Sequence, residues 1–122
     1  MPRLKNIGLK DLKNLVNHPV HQLYTSDILE CQAGFQNLVQ VLKKFKSLQI
    51  LVVNHFGYAD DIEMLKELDC KFIIYLDRLK IKNMGIQKLI SVLKMLNPEA
   101  IYLEGEFRAK NLLPQIFWLC KT

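Results

Sequence analysis

The chain has 122 residues, 50% of them hydrophobic and 24% charged, which is the composition of one globular domain with enough apolar material for a core. Its 17 Lys and Arg against 12 Asp and Glu leave a net charge of +5, which favours an acidic partner or nucleic acid. No apolar run nears the roughly 18 residues that cross a membrane, and Met1 to Lys13 is basic without a signal-peptide core, so a membrane or secreted protein is not expected.

In chain order, Met1 to Asn17 carries Leu4, Ile7, Leu12, Leu15 and Val16 among lysines and asparagines and ends at Asn17-His18-Pro19. It reads as a helical lead-in or cap over residues 1–19, ahead of a domain over residues 20–122. The first strand is expected over Val20 to Thr25, followed by a helix near Asp27 to Phe45 in which Phe35, Leu38, Val41, Leu42 and Phe45 share one face. Leu48 to Asn54, rich in β-branched residues, is the second strand, and Asp60 to Leu68 a short helix that Asp60 or Asp61 can cap. Phe72 to Leu76 is the third strand, with a helix near Asn83 to Leu96 that Asn97-Pro98 stops. Ala100 to Glu104 is the fourth strand, and Asn111 to Lys121 a closing helix with Pro114 in its first turn.

The strand cores centre near Leu23, Leu51, Ile74 and Ile101, at intervals of 28, 23 and 27 residues. Strands alternating with helices over short connections require a parallel sheet, and a recurring interval of this size is the mark of stacked repeats. The alternative architecture is an open twisted sheet with helices on both faces, the scaffold of a regulatory domain or an enzyme. The two separate on strand order, which is sequential in the stacked form.

The offsets Leu38, Leu42, Phe45, Leu48, Leu51 and Val53 after Gly34 nearly repeat as Leu89, Leu93, Leu96, Ile101 and Leu103 after Gly85. The stretch Ile74, Leu76, Leu79, Ile81, Gly85, Leu89, Leu93 makes one whole unit. This spacing resembles the leucine-rich repeat, in particular the longer helix-containing class of ribonuclease inhibitor and the F-box adaptor proteins, over Val20 to Thr122. The divergent units are also similar to those of nematode F-box-associated regions. The resemblance implies an α/β solenoid of about four units, with a parallel sheet on one side and helices on the other, that binds a protein as adaptor or scaffold. The family's turn asparagine is replaced by Ile28, Phe56, Leu79 and Glu106, so the expected solenoid is irregular.

Alternation along the strands, with Leu51, Val53, Ile74, Leu76, Ile101 and Leu103 inward, turns the residues between them outward. That places Tyr24, Val52, Tyr75 and Tyr102 in one column and Ser26, Asn54, Asp77 and Glu104 in the next. An aromatic stripe beside a polar, increasingly acidic one is the expected partner-binding surface: Tyr24, Val52, Asn54, Tyr75, Asp77, Tyr102 and Glu104. The preference of tyrosine for strands accounts for part of the same pattern. Phe117 and Trp118, in the apolar run Ile116 to Leu119, either close the core or form a docking end.

Other chemistry is thinly represented. The three cysteines, Cys31, Cys70 and Cys120, lack metal or redox spacing and read as free thiols in a reducing compartment, cytoplasmic or nuclear. His18, His21 and His55 have no metal spacing, and no catalytic set or phosphate loop stands out, so no metal, cofactor or enzymatic activity is expected. Lys43, Lys44, Lys46, Lys80 and Lys82 would carry the rival reading, a nucleic-acid-associated protein, although no aromatic residues interleave with the densest run.

Overall fold

The computed structural model of the chain describes residues 5–29, 34–56 and 59–104. Four strands, β1 (Gln22–Tyr24), β2 (Ile50–Val53), β3 (Lys71–Asp77) and β4 (Ala100–Glu104), form one parallel sheet in the sequential order β1-β2-β3-β4. Between them run α1 (Leu9–Lys13, before β1), α2 (Phe35–Leu42), α3 (Ala59–Glu63), α4 (Arg78–Met84) and α5 (Ile86–Leu96). The domain is α/β, with helices in every connection between strands, as alternating apolar strands and amphipathic stretches require.

One face of the sheet supplies Leu23, Leu51, Val53, Phe72, Ile74 and Leu76 to the core. Leu12 of α1, Phe35, Leu38, Val39 and Leu42 of α2, Ile62 of α3, Ile81 of α4 and Leu89, Val92, Leu93 and Leu96 of α5 join the same cluster. The apolar stripe at i, i+3, i+4 and i+7 of α5 is the one its sequence contains. A buried leucine of this kind contributes about 2 kcal/mol. Asp77 caps α4 by accepting the Lys80 backbone N–H at Oδ1, 2.7 Å away. Asn97, in the left-handed conformation at φ 49°, ends α5 directly before Pro98.

The helices are shorter than expected, for identifiable reasons. The helix expected from Asp27 begins only at Phe35, because Ile28 is drawn into a parallel bridge with Ile7. Ile7 donates its N–H to the Asp27 carbonyl and accepts from the Leu29 N–H, both at 2.8 Å. The same bridge holds Ile7 out of helix, and among the described residues the lead-in is helical only over α1. Gly85, at φ 81° and ψ 132°, separates α4 from α5, where a single helix from Asn83 was expected. Only glycine adopts that backbone without strain. The closing helix expected over Asn111 to Lys121 lies outside the described residues.

Candidate functional site

The outward face of the sheet is set by register. Leu23 pairs with Leu51 and Leu51 with Phe72, whereas Ile74 pairs with Ile101. The offset between partners is therefore 28, then 21, then 27 residues. The expected column of Tyr24, Val52, Tyr75 and Tyr102 is broken: Tyr24 and Val52 align with Ile73 and Ala100, and Tyr75 aligns with Tyr102. A slip of two residues keeps every side chain on its own face, so apolar alternation fits either register.

Val52 was expected on an open surface, yet it is only 2% exposed and lies outside the main core cluster. It offers a partner no surface. Tyr24 is half-buried, and its hydroxyl accepts a hydrogen bond from Gln22 Nε2 at 2.9 Å. Carried one residue further, the β2 register brings Asn54 opposite Tyr75, but the Asn54 side chain is committed within the chain. Its Oδ1 accepts from the Ser26 N–H at 3.0 Å and from the Thr25 hydroxyl at 3.3 Å.

Thr25, fully buried, is the hub of that clamp: its Oγ1 accepts the backbone N–H groups of Asn54 and His55 at 3.1 and 2.9 Å. Thr25 and Asn54 thus satisfy backbone N–H groups just beyond the ends of β1 and β2. Ile28 and Phe56 are buried, whereas Leu79 is exposed. Sequence reasoning missed Thr25, whose one signal is a hydroxyl at the end of the first expected strand.

What remains on the outer face is a compact cluster. Tyr75 and Tyr102 stack with ring centroids 5.0 Å apart and an interplanar angle of 25°. Tyr75 is half-buried, while Tyr102 keeps 50% of its surface exposed. Two residues further along, Asp77 and Glu104 occupy neighbouring register positions. Beyond Asn54, Lys80 donates from Nζ to its carbonyl at 3.2 Å and sits 4.7 Å above the Phe56 ring. That arrangement anchors the start of α4 to the end of β2 and partly desolvates a cation.

The other sequence candidates are dispersed. Lys43 pairs with Glu67 at 2.9 Å, Lys44 and Lys46 are exposed just after α2, and Lys82 is exposed on α4 with Lys80. Phe117 and Trp118 lie outside the described residues, as do Cys31 and Cys120. Cys70 is a free thiol, half-buried in a cavity of about 140 Å³ with Leu42, Phe45, Leu48 and Leu68 among its lining residues. Burial, with Asp69 beside it, pushes the Cys70 thiol up to about 11. A thiol so disposed is a poor nucleophile at neutral pH.

Among the described residues no three His, Cys, Asp or Glu side chains converge as metal ligands, and no helix is long and apolar enough to cross a membrane. Compared with models of known protein families and with curated proteins, the chain matches none.

Proposed function

We propose that this chain is a protein-binding module, a short leucine-rich-repeat-like solenoid that acts as adaptor or scaffold by taking a partner on its strand face. The observation that carries this reading is the Tyr75–Tyr102 stack, half-exposed on the side of the sheet away from the main core. A stacked pair offers rigid contact area with polar tips and loses little side-chain freedom on binding. The solenoid reading is supported by the sequential parallel strand order and by helices that share one core with one face of the sheet. Recognition, not catalysis, is the role such a face fits, and the free Cys70 thiol suits a reducing compartment, cytoplasmic or nuclear.

Of the seven residues expected to bind, Tyr75, Tyr102, Asp77 and Glu104 form the proposed contact, with Tyr24 at its margin. Asn54 supports the end of β2 from within. The test is affinity capture with the tagged chain, compared with a Tyr75→Thr/Tyr102→Thr variant. Threonine keeps strand propensity while removing both rings. The reading expects partners held by the parent chain to be lost by the variant; equal capture by both chains overturns it.

A further inference from the structure

We propose that the strand face holds a proline-rich segment in the polyproline II conformation, lying across β3 and β4 over the Tyr75–Tyr102 stack; this deepens the strand-face reading above and rests on it. The occupant follows first from what this part of the face lacks. Two rows cross the middle of the sheet, Tyr24, Val52, Ile73 and Ala100, then Asn54, by continuation of the β2 register, Tyr75 and Tyr102. Neither row carries a charged side chain, so a charged segment finds nothing there to pair with, although the chain as a whole has a net charge of +5. The two tyrosine rings, 5.0 Å apart and within 25° of parallel, make a flat neutral platform.

The second row also has hydrogen-bond donors to spare. Among the described residues nothing bonds to the Tyr75 or the Tyr102 hydroxyl. Asn54 commits its Oδ1 to the Ser26 N–H and the Thr25 hydroxyl, and its Nδ2 has no partner among the same residues. Such a row suits a segment that offers carbonyl oxygens and few N–H groups. Polyproline II is that segment, because proline has no N–H and its carbonyls make no internal bonds. Its rings pack on aromatic side chains, and a preformed conformation loses little freedom on docking. An oligosaccharide would also stack on the rings, but its hydroxyl hydrogens need acceptors, and the Asn54 oxygen is already taken. Spacing agrees with the same occupant. One turn of polyproline II rises about 9.3 Å, and the two strand spacings from Asn54 to Tyr102 span about 9.6 Å. A segment crossing the strands therefore repeats in step with the row.

The test titrates two neutral probes into the full chain, Nα-acetyl-hexaproline amide and an Nα-acetylated glycine-serine hexapeptide amide, with backbone amide NMR as readout. Hexaproline should move the signals of Ile73, Tyr75 and Tyr102 and half-saturate at a concentration about tenfold below the flexible probe, which must be ordered on binding. A Tyr75→Phe/Tyr102→Phe variant, which keeps both rings and loses both hydroxyls, should bind hexaproline about fivefold more weakly. The Tyr75→Thr/Tyr102→Thr variant should show no saturable shift. Equal shifts from the two probes, shifts centred elsewhere, or undiminished binding by the phenylalanine variant overturn the proposal. A partner lost by the threonine variant in affinity capture, together with no shift from hexaproline, overturns the proline-rich segment while leaving the strand-face reading intact. Capture retained by the threonine variant overturns both.

Discussion

Replacing Thr25 with valine keeps the shape of a fully buried side chain and removes the oxygen that accepts from Asn54 and His55. Two backbone N–H groups then lose their acceptor, so the variant should be less stable by about 2–3 kcal/mol in denaturant unfolding. A serine in its place, which keeps the oxygen, should recover most of that loss. Cys70 gives a second check. Its thiol is raised to about 11 from 9.0, so the folded chain holds that proton to higher pH than the unfolded chain does. The resulting stabilisation is fully present below pH 9 and is lost as the pH rises through 11. In a Cys31→Ser/Cys120→Ser background, iodoacetamide at pH 8 should alkylate Cys70 about 100-fold more slowly in the folded chain than in urea. Neither role is written in the local sequence. Thr25 acts through residues 29 and 30 positions away, and the Cys70 environment is made by segments after α2 and before β3 that only the fold brings together.

At the scale of elements, the decisive positions are where helices stop. Gly85 combines φ 81° with ψ 132°, and a Cβ built there meets nothing within 4 Å. Backbone conformation, not space, therefore demands the glycine. Gly85→Ala should cost about 1–3 kcal/mol, read as a lowered midpoint in thermal unfolding with the fold retained. Asn97-Pro98 as a stop was legible because it acts on its own backbone. The late start of the lead-in helix at Leu9 was not, because Ile7 pairs with Ile28 through hydrogen bonds that no window of consecutive residues contains. Strand positions were legible from β-branched runs, and β4 was expected with the bounds it has. Their mutual register was not. Alternation of period two cannot distinguish shifts of two residues, and the connection between β2 and β3 proved shorter than strand centres suggested. That connection holds a single turn of α3 and a 3₁₀ turn over Met64–Glu67 where its neighbours hold longer helices.

Across the whole molecule, the parallel α/β domain with one shared core followed from composition and periodicity, since every connection between expected strands needed a crossover. Of the seven residues expected on the strand face, four keep the alignment the sequence suggested. Tyr75, Tyr102, Asp77 and Glu104 lie together as expected, because β3 and β4 pair without a slip. Tyr24 and Val52 fall out of line because the slip lies between β2 and β3. The central claim, that this half of the strand face is what a partner holds, is tested most directly by affinity capture and mass spectrometry with the parent chain and the Tyr75→Thr/Tyr102→Thr variant. Their thermal midpoints are measured alongside, with a fall of about 5 °C allowed for the lost stack. The account predicts a folded variant that loses the partners the parent chain holds. A folded variant that captures the same partners to the same extent would contradict it.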